Sequence, residues 1–151
     1  MNSKDVGNIT EIKVMSFFIE KGFTVSKPFG DNARYDLIVD INNKLYRVQC
    51  KHGRLENGCI TADASNYSHG DNKSKEDYVG SADMFGIYSE LTNKVYLVLI
   101  ESDTPTSKIN LRIEPCKKNY TKRVWWAKDY EADKILNESL LIPSQCYFAR
   151  Q

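Results

Sequence analysis

Asp36, Gln49, Cys50 and Lys51 could together hold a hard cation against a phosphate. Asp36 offers a carboxylate, Gln49 an amide oxygen, Cys50 a backbone carbonyl and Lys51 an ammonium. Magnesium favours such oxygen ligands, keeps several waters and commonly binds beside substrate phosphates through one or two carboxylates. A cation held there lowers the pKa of water and neutralises charge on a phosphoryl oxygen. Protonated Lys51 has no lone pair, so it would hold a nonbridging oxygen or orient the attacking water, and would act as a base only with a depressed pKa. Glu11, farther upstream, would hydrogen-bond a metal-bound water or support a second ion. The chemistry this set implies is phosphodiester hydrolysis.

Two strands must position these groups. Residues 37–39 and 45–48 have strand composition, and the polar residues 40–44 between them carry a turn signal. Alternation along a strand points Arg47, Gln49 and Lys51 to one side. A partner strand about 5 Å away brings Asp36 beside Gln49. Upstream, Val6, Ile9, Ile12, Val14, Phe17, Phe18 and Ile19 recur at helical spacing. They predict a helix over 5–21, with Ser3 as N-cap, Gly22 at its end and Glu11 at one edge of the apolar stripe.

Farther along, strands are expected at 23–26, 59–62, 84–88, 94–100 and 109–113. The 94–100 segment is nearly all apolar, so it is placed mid-sheet with both faces buried. Residues 63–75 suggest a long exposed loop. Ser74 is positioned to cap a short helix over 75–83, and a further helix is expected over 129–138.

The 151 residues, 41% hydrophobic and 27% charged, suit one domain over 1–151, with a core at about 3–101 and a C-terminal extension at about 102–151. No apolar stretch is long enough for a membrane span, and the N-terminus lacks the apolar run of a secretory signal, so a cytoplasmic protein is expected. Cys50, Cys59, Cys116 and Cys146 are widely spaced and are expected as free thiols. A net charge of +1 does not decide for or against a nucleic-acid partner, because a local patch matters more than the total.

Lys117, Lys118, Lys122 and Arg123 are interleaved with Tyr120, Trp125 and Trp126. They could track a DNA backbone, or form a solvated rim around packed aromatics. Arg34, Arg47, Arg54, Asn57, Lys73 and Lys75 are further candidates for DNA contacts, with phosphate the natural target of the lysines.

A helical Glu11, the segment 30–36 ending in Asp36, and Gln49-x-Lys51 resemble the core of the PD-(D/E)XK nucleases. Residues 82–88 and 95–98 extend the likeness. The resemblance implies a restriction-endonuclease-like αβββαβ core, a mixed central sheet flanked by helices. It implies Mg²⁺, with Mn²⁺ able to substitute, held by Asp36, Gln49, Glu11 and the Cys50 carbonyl, with Lys51 completing the catalytic set. Tyr35 stands where the motif has proline and Gln49 where an acid is usual; the amide removes a negative charge and shifts weight to Glu11. Within the superfamily the sequence is most similar to cyanobacterial group I intron-encoded homing endonucleases. That likeness implies sequence-specific double-strand cleavage of a long site in double-stranded DNA by a homodimer or higher even homo-oligomer. The same residues would also suit a Holliday-junction-resolvase-like nuclease, or a noncatalytic DNA-binding module with a degraded site, which Gln49 favours.

Overall fold

The computed structural model describes residues 2–67, 75–115 and 123–141. Helix α1 spans Ser3–Glu20. Its N-cap is Asn2, not Ser3: the Asn2 side chain accepts from the Asp5 N–H at 2.9 Å, and the Asp5 carboxylate accepts from the Asn2 N–H, closing a capping box. The helix ends in a Schellman motif, with Gly22 N–H on the Ile19 carbonyl and Phe23 N–H on that of Phe18. Gly22 has φ +86°, which glycine adopts without a Cβ clash. The buried face of α1 centres on Thr10, Val14 and Phe18. Ile12 and Ile19, expected in the stripe, are 57% and 55% exposed because they lie off that i, i+4, i+8 row.

The strands are β1 (Thr24–Ser26), β2 (Leu37–Ile41), β3 (Lys44–His52), β4 (Arg54–Glu56), β5 (Cys59–Asp63), β6 (Asn66–Tyr67), β7 (Lys75–Glu76), β8 (Met84–Ser89), β9 (Lys94–Leu99) and β10 (Lys108–Arg112). The central sheet has the order β1-β2-β3-β8-β9 and is mixed: β3 and β8 are parallel, and the other pairs antiparallel. A smaller sheet has the order β10-β5-β4. Strands β2 and β3 join through Asn42-Asn43, both at positive φ, the geometry of a type I′ hairpin. Asn57-Gly58 joins β4 to β5 in the same way.

Period-2 alternation divides the central sheet between two cores. Leu37, Val39, Val48, Met84 and Leu97 meet Val14 and Phe18 of α1, together with Ala132 of the short helix α2 (Ala132–Ile135) and Leu136 and Leu140 of the wider turn that follows. Phe85, Ile87, Tyr96 and Val98 point the other way, onto Ile60, Ala62, Ile109 and Leu111 of the smaller sheet. Among the described residues, helices therefore cover one face and a second sheet covers the other.

The helix expected over 75–83 is not formed. Residues 75–76 are strand β7, paired with β6. Asp77 then caps the Val79 N–H at 3.2 Å, Gly80 takes φ +78°, and Tyr78 turns inward against Phe85. A buried tyrosine and a positive-φ glycine stop a helical turn from propagating. Strand β9 also departs from expectation: it is an edge strand, and β8 is the one buried along its whole length. The free edge of β9 is met by the C-terminal segment, where Leu97 N–H donates to the Tyr130 carbonyl at 2.9 Å.

Two constraints fix the packing around the parallel β3–β8 pair. A Cβ on Gly86 would lie 2.7 Å from Val14 Cγ1, so the absence of a side chain there lets α1 settle onto the parallel pair. At the start of that pair, Asp83 accepts from Arg47 at the backbone N (2.7 Å), Nε (3.1 Å) and Nη2 (2.9 Å). Gly86→Ala is expected to cost about 1–3 kcal/mol by overpacking, measured by urea unfolding. Asp83→Ala is expected to cost about 1–2 kcal/mol, because the pair is partly exposed. The Arg47 bond holds the Asp83 carboxyl below its ordinary 3.8. Its contribution is therefore full above that value and lost as pH falls through the folded value, so the gap between Asp83→Ala and the parent should close in acid.

Candidate active site

Strands β2 and β3 part company at one end. Their last pair is Leu37 with Val48, and Asp36 N–H closes the ladder on the Val48 carbonyl at 2.9 Å. Among the described residues, strand β3 runs on to His52 with only β8 beside it, leaving its other edge open from Gln49 onward. Asp36 fills that edge. Its Oδ2 accepts from the Cys50 backbone N–H at 2.7 Å and from Gln49 Nε2 at 2.7 Å. A strand residue presents its N–H and C=O to the same edge, so the Cys50 carbonyl faces the opening too. Gln49 Nε2 lies 3.4 Å from it.

Burial pushes the Asp36 carboxyl above its ordinary pKa, against the pull of the Cys50 N–H; the Glu11 charge adds to the rise, while Lys51 and Lys27 oppose it. Lys51 is affected in the complementary sense: burial lowers its pKa, and Asp36 and Asp63 draw it back up. The Cys50 thiol is raised well above the usual thiol range, chiefly by burial, and is a poor nucleophile. Cys50 and Cys59 are free thiols as expected, and Cys116 and Cys146 lie outside the described residues.

Lys51 Nζ donates to the Tyr78 hydroxyl at 3.1 Å and sits 4.8 Å from the centre of its ring. The Arg34 guanidinium lies 5.3 Å from the same ring and donates to the Asp77 carbonyl. Tyr78, packed edge-on against Phe85, thus fixes the lysine. Sequence spacing did not indicate this residue, because it arrives from the far side of the β3–β8 crossover.

Glu11, Asp36, Gln49 and Cys50 share a cavity of about 380 Å³ with Lys4, Asn8, Thr10 and His52. Thr10 Oγ1 and His52 Nδ1 are 3.5 Å apart there. Lys51 does not line this cavity. Glu11 Oε1 accepts from Lys27 Nζ, a partner the sequence reading had not singled out.

Among the described residues, no three His, Cys, Asp or Glu side chains are grouped to hold a metal ion. The donor set nevertheless fits a hard cation that keeps most of its waters. Asp36 Oδ1 carries no hydrogen bond from the described residues, the Cys50 carbonyl faces the same opening, and half a turn of the Gln49 amide would present its oxygen.

The DNA-contact candidates are placed unevenly. Arg47 pairs with Asp83 and donates to the Gly80 carbonyl, and Arg54 pairs with Asp63 and Glu56; a phosphate reaching either guanidinium would meet it in these part-exposed ion pairs. Asn57 serves the β4–β5 turn, where its φ of 51° suits asparagine. Arg123 lines a groove of about 400 Å³ on the outer face of the smaller sheet, with Lys108, Arg112 and Trp125. Trp125 stacks on Tyr130 with ring centres 5.2 Å apart, so at least this aromatic packs internally. Lys73, Lys117, Lys118 and Lys122 lie outside the described residues, and of Lys75 only the backbone, in β7, is described.

The fold is similar to that of a solved bacterial homing endonuclease, I-Ssp6803I, with a TM-score of 0.72, 23% sequence identity and coverage of 91% of this chain and 93% of that one. No curated protein matches the chain. A family model described as PD-(D/E)XK endonuclease matches residues 1–133, a span that contains Glu11, the Asp36 strand end, Lys51 and the segment closing β9. The chain belongs to the PD-(D/E)XK endonuclease family.

Proposed function

We propose that this protein is a Mg²⁺-dependent DNA endonuclease that makes a double-strand break at a long, specific site, as an intron-encoded homing enzyme does, with Mn²⁺ able to replace Mg²⁺. The observation that carries the proposal is the half-buried Asp36 carboxylate, locked by the Cys50 N–H at the point where β2 leaves β3, within the electrostatic reach of Lys51. A bound divalent cation would supply a more acidic water and neutralise charge on the scissile phosphate. Asp36, the Cys50 carbonyl and the Gln49 amide would hold it, and Glu11 would orient its waters. Lys51, steadied by Tyr78, would bind a nonbridging oxygen or direct the attacking water.

The likeness to a homing endonuclease supports a duplex DNA target. One such site cuts one strand, so a double-strand break calls for two copies, and a two-fold homodimer is the simplest arrangement. Among the described residues, no helix is long and apolar enough to cross a membrane. Gln49 supports a second reading, a DNA-binding module that does not cut, because its amide donor faces Asp36 where a second carboxylate would sit.

Selection of cleaved sequences from a random duplex library with Mg²⁺ tests the proposal. Recovery of one long motif supports it, while DNA binding in EDTA without cleavage at any protein concentration would favour the second reading.

Asp36→Asn should abolish cleavage and also stabilise the metal-free protein. An acid whose pKa is raised by folding contributes less stability as pH rises from 3.8 through the folded value, and the amide keeps an acceptor for the Cys50 N–H. In EDTA at pH 7 the variant should melt at a higher temperature than the parent, and Mn²⁺ should stabilise only the parent. Gln49→Glu should lower the Mg²⁺ concentration needed for half-maximal cleavage by about tenfold and lower the melting point in EDTA, since two carboxylates then face each other. An unchanged metal dependence would remove Gln49 from the cation site.

A further inference from the structure

Lys27 has no part in the reaction outlined above, yet the fold delivers its ammonium to Glu11, which lines the same cavity. Ser26 pairs with Ile38 as the last pair of β1, so Lys27 leaves the strand beside Leu37, one residue from Asp36. Helix α1 brings Glu11 from the other side. Val14 rests over Gly86, Gly86 pairs with Cys50, and Glu11 lies just under one turn toward the N-terminus. The two elements meet where Lys27 Nζ bonds Glu11 Oε1. Such a pair, with Lys27 half exposed, adds little to stability, so its place matters more than its strength.

We infer that Lys27 is a positioning residue that occupies the place of a second cation and limits the site to a single divalent ion. The inference rests on the proposed nuclease site. The charges of Asp36 and Glu11 are balanced by Lys27 and Lys51 before any metal enters. A first ion can use Asp36 and the Cys50 carbonyl without disturbing Glu11. A second would have to displace the ammonium from Glu11, and neutral Gln49 offers it no compensating carboxylate. One divalent ion already exceeds the charge of one phosphodiester, so a further ion would leave the site strongly positive. Lys27, on a flexible stem, can instead leave Glu11 for a nonbridging phosphate oxygen when substrate arrives.

The test is Mn²⁺ binding to the full chain without DNA, followed by calorimetry and by the electron paramagnetic resonance of free Mn²⁺. The parent should bind one Mn²⁺ per chain, Lys27→Gln should take up a second, and Lys27→Arg should bind one. Circular dichroism checks that the variants fold, as expected for a half-exposed side chain. If Lys27→Gln binds Mn²⁺ with the number and affinity of the parent while Asp36→Asn loses binding, the inference is overturned and the nuclease site stands. If the parent binds no Mn²⁺, or Asp36→Asn binds it unchanged, the site itself is wrong and the inference fails with it.

Discussion

The divergence of β2 from β3 is the constraint from which the site follows. A strand edge left open inside a fold exposes backbone groups that need partners. Here Asp36 answers the Cys50 N–H with a carboxylate instead of another strand, and the same step leaves the Cys50 carbonyl aimed into the opening. The carboxylate is thereby fixed first by main-chain geometry, with the Gln49 amide adding a side-chain bond to the same oxygen. Its raised pKa reflects that solution: the hydrogen bonds do not fully compensate for lost water, and the unmet demand is for positive charge.

Positive charge is supplied from both sides of the sheet. Lys51 lies on the smaller-sheet side, steadied by the Tyr78 ring and hydroxyl, and Lys27 reaches the helix side through Glu11. Neither lysine is directly hydrogen-bonded to Asp36. The two lysines therefore act on the carboxylate through space, and a cation can approach Asp36 without first breaking an ion pair to it.

Much of this was legible in the sequence because it depends on local rules. Alternation put Gln49 and Lys51 on one side, the paired asparagines marked the hairpin, and the Gly22 end of α1 was visible as punctuation. What escaped involves tertiary partners. Asn2 outcompeted Ser3 as N-cap because Asp5 lies three residues on and can return the bond. The expected 75–83 helix gave way to the burial of Tyr78, which no local propensity encodes. β9 looked central because it is apolar, and it is apolar because two cores and the chain's later segment enclose it. The pairing of Arg47 with Asp83, 36 residues away, is likewise a tertiary partnership that no local rule announces.

The segment after Arg123 runs along the rims of both sheets. Trp126 bridges Arg112 on β10, Glu131 bridges Tyr96 on β9, and Ala127 and Ala132 enter opposite cores. The longer rims are thus sealed from within the chain, and the strands that end the two sheets at their far sides among the described residues, β1 and β4, are three residues each. Such short stretches give a foreign strand little backbone to grip, which guards against runaway stacking of one molecule on the next.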